Sequence, residues 1–275
     1  MKISFQKMAS PEKGTVVLGV MAGGKMLPLT RDIDRAVKGL LKQAMADSTF
    51  DGGAHETLAV ATPRGPVLLY GLGDGKAIDA AWAEKAGGTI YAALAKSGAK
   101  VAHVVFEAHK GGEEGVETRA AHLGVAVKLR AYRFDKYRTT LKAKDKPTLA
   151  QVIVLVEKHT AARRVFSGLD AVAEGVFMTR DLVSEPPNVL YPDSYAKRCE
   201  ELTKLGVTVQ ILGEKEMAKL GMGALLGVGQ GSVRESKMVV MRWNGGAKNA
   251  KPLAFIGKGV TFDTGGISLK PAGGM

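Results

Sequence analysis

The sequence contains very little cysteine and no long apolar run. Cys199 is the only cysteine in 275 residues, so an internal disulfide is excluded and we expect a reducing, cytoplasmic setting. No stretch approaches 18 consecutive apolar residues, which argues against a membrane span. The first ten residues lack the apolar centre of a secretory signal, so we do not expect a signal there.

Several common functional motifs are also missing. The sequence has no H-E-x-x-H and no C-x-x-C, and Cys199 has no histidine in a recognisable partner motif. Segment 71–77, Gly-Leu-Gly-Asp-Gly-Lys-Ala, is one residue short of a phosphate-binding P-loop and has alanine where the hydroxyl belongs. We therefore expect a turn between a strand and a helix at this segment.

The composition is that of a globular protein, with 45% apolar and 24% charged residues. The length allows one large domain or two modest ones. In the first half, alternating strand and helix signals predict a mainly parallel, doubly wound α/β sheet. A helix over 32–46 has Thr30 as its expected N-cap. The predicted strands are 1–5, 15–21, 57–61, 67–70, 101–106 and 151–156, and the other predicted helices are 78–97, 115–134 and 164–183.

The second half continues with helices at 194–205 and 214–219 and with strands at 207–212 and 238–243. A further short apolar run, 253–256, predicts a buried strand that leads into a glycine-rich loop. Ligands of open α/β sheets bind beyond the carboxyl ends of the strands. The loop would place Lys258, Asp263 and Lys270 at such a crevice.

These three side chains suit a metal-assisted reaction. Asp263 is a hard oxygen ligand for a divalent cation. An amine ligates a metal only when neutral, and deprotonating Lys258 at pH 7 costs about 4 to 5 kcal/mol, which a neighbouring dication can supply. Lys270 would stay charged and stabilise an oxyanion. The alternative is that both lysines are solvated loop charges and that Asp263 caps a turn.

The string 257–271, Gly-Lys-Gly-Val-Thr-Phe-Asp-Thr-Gly-Gly-Ile-Ser-Leu-Lys-Pro, resembles the metal-binding segment of the leucyl aminopeptidase (cytosol aminopeptidase) family. Segments 179–192 and 221–232 also resemble this family, although Ser184 stands where an asparagine is expected. The resemblance implies a cytoplasmic, hexameric metallo-exopeptidase that releases N-terminal amino acids, leucine-type, from peptides. It implies two divalent ions (Mn²⁺ or Zn²⁺) that activate a water, with Lys258 ligating one, Asp263 contacting both and Lys270 as the catalytic lysine.

The same resemblance implies a domain plan and a gap. We expect an N-terminal macro-domain-like α/β domain at 1–158, a linker helix at 159–187 and the first part of a catalytic α/β domain at 188–275. The family's further ligand motifs, D-x-M-K-x-D-M-G-G and N-T-D-A-E-G-R, do not occur in the sequence. We therefore expect this chain alone to lack part of the site, to be inactive and to expose apolar surface.

The chain is strongly basic, with 39 Lys and Arg against 27 Asp and Glu. Segment 130–146 concentrates this charge around three aromatic residues. One interpretation is a nucleic-acid surface, which would make the chain a basic α/β binding or assembly module without catalysis. The other is a solvated basic face with its aromatics turned to the core.

Asp263-Thr-Gly also matches the aspartic-protease triplet, but that chemistry needs two such carboxylates and the sequence has one copy.

Overall fold

The computed structural model describes residues 1–11, 14–76, 78–107 and 114–273. The chain divides into two compact units, Met1–Thr179 and Arg180–Met275. The first unit contains a mainly parallel sheet with flanking helices, which confirms the predicted α/β class. Within the described residues, none of the helices combines the length and the apolar character needed to cross a membrane.

The described residues of the first unit form one sheet of seven strands, which are β1 (Lys2–Gln6), β2 (Thr15–Met21), β3 (Lys25–Met26), β4 (Thr57–Thr62), β5 (Gly65–Gly71), β6 (Val101–Val105) and β7 (Gln151–Leu155). The strand order is β1-β7-β6-β2-β5-β4, and β3 pairs with the C-terminal end of β2. The strands pair in parallel, except that β4 is antiparallel to β5 and β3 to β2.

Both faces of this sheet are covered by helices. Val17 of β2 lies in a buried cluster with Ile90 and Leu123, whereas its neighbour Leu18 lies in a second cluster with Leu41. Successive side chains of a strand point to opposite faces, so a strand buried on both sides is apolar throughout. The α-helices among the described residues of this unit are α1 (Pro28–Ala36), α2 (Leu40–Ala46), α3 (Ala80–Leu94), α4 (Val116–Arg130) and α5 (His159–Ser184), which ends just beyond the unit boundary.

The single helix predicted over 32–46 is wrong, because two helices occupy that stretch. Lys38 and Gly39 adopt left-handed backbone conformations, with φ of 57° and 81°, and end the first helix. The buried carboxylate of Asp34 then accepts hydrogen bonds from the backbone N–H groups of Leu41 (2.9 Å) and Lys42 (3.2 Å). The apolar stripe continues across this break, so periodicity alone did not reveal it.

Two further details differ from the prediction. Thr30 is not an N-cap: it lies inside α1, and its hydroxyl donates to the Gly19 carbonyl at 3.0 Å. The helix predicted over 194–205 is α6 (Pro192–Glu200) followed by a 3-10 turn, Glu201–Leu205. Both differences come from tertiary contacts and helix ends, which sequence patterns determine weakly.

The second unit is built around a two-stranded antiparallel sheet of β8 (Thr208–Leu212) and β9 (Met238–Arg242). Between these strands lie α7 (Glu214–Lys219), which has the predicted bounds, and α8 (Gly223–Gly229), which was not predicted. The sequence pattern did not predict α8, because the segment is rich in glycine and glycine is a poor helix former.

The strand predicted at 253–256 is not formed. Leu253, Phe255 and Ile256 are 87%, 92% and 100% exposed, and no described strand pairs with them. A strand needs a neighbour for its backbone N–H and C=O groups, and an apolar run does not supply one. The glycine-rich loop therefore does not follow a paired strand, and the expected crevice is not formed at this point.

Candidate active site

The loop that carries the three candidate residues closes on itself through a tight turn. Gly265 has φ of 87°, and a Cβ at this position would lie 2.3 Å from the Ser268 carbonyl oxygen. The Lys270 backbone N–H donates to the Thr264 carbonyl at 2.9 Å, and Gly265 and Leu269 form an isolated antiparallel bridge. Only glycine fits this turn, because it combines a left-handed backbone with a close approach. The turn brings Lys270 back beside Asp263.

Asp263 and Lys270 are in direct contact. The Lys270 ammonium lies 2.9 Å from Oδ2 of Asp263 and also donates to the Asp263 backbone carbonyl at 3.2 Å. The Gly265 N–H donates to Oδ1 at 2.8 Å. The Gly265 N–H first, and then the Lys270 ammonium, hold the pKa of the Asp263 carboxyl below its ordinary value. Asp263 is therefore an anion at neutral pH, although both side chains are about half exposed.

Lys258 is close enough to affect this pair but does not contact it. Its charge is a smaller contribution to the lowered pKa of Asp263. It makes no ion pair with a carboxylate in the part of the chain that the structure describes. The structure thus brings Asp263 and Lys270 together and leaves the Lys258 amine available to a ligand.

One supporting residue was not identified from the sequence. The ring of Tyr195 in α6 lies against Gly259, where an added Cβ would be 3.1 Å from a ring carbon. Tyr195 therefore packs on the loop directly after Lys258. The sequence carries no signal for this contact, because the two residues are far apart along the chain.

The loop offers fewer metal ligands than a two-metal centre needs. Lys258 offers one amine and Asp263 one carboxylate, both chemically suitable for a divalent cation. No cluster of three or more His, Cys, Asp or Glu side chains occurs among residues 1–11, 14–76, 78–107 and 114–273. A pair of divalent ions needs several carboxylates. These residues therefore fit part of such a centre and do not hold two ions by themselves.

An α/β chain with this lysine–carboxylate loop matches two models of one peptidase family. The N-terminal domain of the cytosol aminopeptidase family matches residues 17–141, and the catalytic domain of the same family matches residues 177–275. The chain belongs to the cytosol aminopeptidase family. Lys258, Asp263 and Lys270 all lie in the segment that matches the catalytic domain.

The relatives extend this match over the whole chain. The chain is 43% identical over 282 residues to a protein described as "Probable cytosol aminopeptidase" from Caulobacter vibrioides, with 100% of this chain and 56% of the relative covered. It is 45% identical over 283 residues to a protein of the same description from Rhizobium meliloti, with 100% and 55% covered. The chain spans about half the length of the curated relatives that it matches.

Solved structures of similar fold agree. A tomato leucine aminopeptidase mutant superimposes with a TM-score of 0.76 at 21% identity, covering 87% of this chain and 50% of that one. The bottromycin maturation enzyme BotP in complex with Mn gives a TM-score of 0.70 at 26% identity, covering 94% and 51%. The first likeness supports the fold alone.

Proposed function

We propose that this chain is part of a metal-dependent aminopeptidase that releases N-terminal amino acids, leucine-type, from peptides in the cytoplasm. The observation that carries the proposal is the match of residues 177–275 to the catalytic domain of the family, together with the lysine–carboxylate loop inside it. The domain plan 1–158, 159–187 and 188–275, the hexamer and the choice of Mn²⁺ or Zn²⁺ belong to the same proposal.

Each of the three residues has a role that its chemistry supports. Asp263 is charged at neutral pH, because its pKa is lowered, and would be a carboxylate ligand. Lys258, which has no ion-pair partner among the described residues, would act as an amine ligand in its neutral form. Bound divalent ions supply an activated water and polarise the substrate carbonyl.

The Lys270 ammonium would stabilise the developing oxyanion of the first peptide bond. Its ammonium is paired with Asp263 in this structure. Where Asp263 serves as a metal ligand, Lys270 would lose this partner, and its ammonium would be available to the substrate. The Lys270–Asp263 contact is therefore the resting arrangement of the pair in this proposal.

The further carboxylates that two ions require are not among the described residues of this chain. We accordingly propose that the chain by itself assembles an incomplete centre. Metal binding and peptide hydrolysis therefore need separate tests, because Lys258 and Asp263 can bind one ion weakly without forming the complete site.

The test measures hydrolysis of leucine 4-nitroanilide with added Mn²⁺ or Zn²⁺ by this chain, by Lys270→Ala and by Lys215→Ala. Lys215 is an exposed lysine of α7 and serves as the matched control. Metal-dependent turnover that is lost only in Lys270→Ala would support the enzyme and overturn the incomplete site. Turnover without metal, or turnover insensitive to Lys270→Ala, would contradict the assigned roles.

Calorimetric titration with Mn²⁺ tests the ligands without relying on activity. Asp263→Asn removes the carboxylate charge at nearly constant shape, and we expect the affinity to fall at least tenfold, as for losses around metal sites generally. An unchanged affinity in Asp263→Asn would exclude Asp263 as a ligand, whatever the hydrolysis assay shows.

A further inference from the structure

Residues 130–146, called the basic loop, form the most strongly charged segment of the first unit. The segment contains seven Lys and Arg and two Asp, which gives a net charge of +5 out of +12 for the whole chain. It starts at the last residue of α4, and its only regular structure is a 3-10 turn, Ala143–Asp145. The cations are therefore displayed on a loop and not along a helix face.

Much of this positive charge is not neutralised locally. Asp135 is held by Arg133, whose Nε lies 2.7 Å from Oδ2, and Arg138 lies 4.0 Å from the other oxygen. Lys142, Lys144 and Lys146 are exposed and form no ion pair with any residue that the structure describes. These three lysines can pair with an external anion without first breaking a contact.

The basic loop also surrounds an open cavity of about 680 Å³. Its lining includes the cations Arg138, Lys142 and Lys144 and the exposed hydroxyl residues Thr139 and Thr140. Hydroxyl, guanidinium and ammonium groups are the side chains that donate hydrogen bonds to phosphate oxygens. The cavity thus presents donors and positive charge on one concave surface.

The aromatic residues of the loop divide into an anchor and an exposed ring. Tyr132 packs on Phe177 of α5, with ring centroids 5.3 Å apart, and fixes the start of the loop to the first unit. Tyr137 also lines the cavity and is 46% exposed, with the Phe134 ring centroid 5.8 Å from its own and the Lys136 ammonium 5.4 Å from its ring centroid. An exposed ring beside unneutralised cations is the combination that binds unpaired bases.

We propose that the basic loop binds single-stranded nucleic acid, with Lys142, Lys144 and Lys146 on the phosphates and Tyr137 as a stacking surface. Charge alone would serve a duplex or any other polyanion equally well. The exposed tyrosine favours the single strand, because its bases are free to stack. The basic loop belongs to the first unit, and its binding of nucleic acid does not depend on the proposed peptidase function.

The first test measures fluorescence anisotropy of a labelled single-stranded DNA of about 16 nucleotides, near the upper site size of one binding module. The affinity of the unaltered chain should fall steeply as salt rises. In the triple variant Lys142→Gln, Lys144→Gln and Lys146→Gln, the slope of log K against log salt should decrease by about 2, from about 0.7 per phosphate contact. The matched control carries Lys25→Gln, Lys42→Gln and Lys85→Gln and should keep the original slope.

The second test separates stacking from charge. Tyr137→Leu keeps apolar packing against Phe134 but loses the ring, and should weaken single-strand binding about fivefold or more. Tyr137→Phe retains the ring and should bind like the unaltered chain. Circular dichroism checks that each variant is folded.

An absence of single-strand binding at low salt would overturn the proposal. Equal slopes in the triple variant and its control, or unchanged binding by folded Tyr137→Leu, would overturn it as well. Equal affinity for duplex DNA or for heparin would also overturn it, since the loop would then be a general polyanion surface.

Discussion

Asp263 illustrates how much a single residue owes to its immediate neighbours. Its carboxylate receives a backbone hydrogen bond from Gly265 and the ammonium of Lys270, and both favour the charged form. A carboxyl whose pKa is lowered in the folded chain contributes stability above its unfolded pKa, and this contribution is lost as pH falls through the folded pKa. Because the pair is exposed, this contribution is small, and the pKa itself is the better observable.

The prediction at this scale concerns Lys270→Ala. Removing the ammonium should raise the pKa of Asp263 part of the way toward the ordinary value of about 3.9. The Gly265 N–H remains and keeps the pKa below that value. Carbon-13 NMR titration of the carboxyl measures this directly. Asp193, paired with Lys197 at 2.8 Å, should titrate unchanged and is the internal control.

An Asp263 pKa that does not move in Lys270→Ala would mean that the ion pair is absent in solution.

The sequence could identify the three candidate residues, because they lie within thirteen positions of one motif. It could not show that two of them touch, since the contact depends on the left-handed turn at Gly265. The packing of Tyr195 on the loop was likewise beyond sequence reasoning.

At the scale of elements, the packing of α3 on α4 depends on one glycine. A Cβ on Gly87 would lie 2.3 Å from the Leu123 carbonyl oxygen in α4 and 3.1 Å from the Ala126 side chain. The adjacent Gly88 has open space around it. The two neighbouring glycines therefore separate the effect of close packing from the intrinsic effect of glycine in a helix.

We predict that Gly87→Ala destabilises the first unit by about 2 to 3 kcal/mol, because the helices must move apart. Gly88→Ala should stabilise it by roughly 0.5 to 1 kcal/mol, since alanine is the better helix former. Urea unfolding followed by circular dichroism gives both values. Equal effects of the two substitutions would rule out the close α3–α4 contact.

Elements were predicted well where local pattern and tertiary environment agree. The apolar run of β2 corresponds to a strand buried on both faces, and the bounds of α7 were correct. The break at Lys38 and Gly39 was missed because the apolar stripe continues through it. The strand at 253–256 was wrong because strand formation depends on a partner, which a local pattern does not report.

At the scale of the whole molecule, burial is uneven between the two units. Most of the buried apolar residues belong to Met1–Thr179. In the second unit, large apolar side chains lie on the surface of segment 253–269. They are Leu253, Phe255, Ile256, Phe262, Ile267 and Leu269, each at least 61% exposed. A group of exposed apolar side chains of this size favours association.

We predict that the chain self-associates as its concentration rises and that the double variant Phe255→Ser and Ile256→Ser associates less. The physical reason is that the Phe255 ring and the branched Ile256 side chain expose apolar area that association buries. Sedimentation velocity over a concentration series measures the effect. Val172→Ser, at a 66% exposed position on α5, is the control. Equal association of the double variant and the unaltered chain would exclude this segment as the cause.

The sequence by itself determined the α/β class, most strands and helices of the first unit, and the residues of the lysine–carboxylate loop. These features follow from local properties: the period of apolar residues, the positions of glycine and the residue types of a motif. Only the tertiary structure decided the two-helix path at Lys38–Gly39, the contact of Lys270 with Asp263, and the unpaired state of segment 253–256. Each of these depends on which distant backbone and side-chain groups meet, and such meetings leave no local pattern in the sequence.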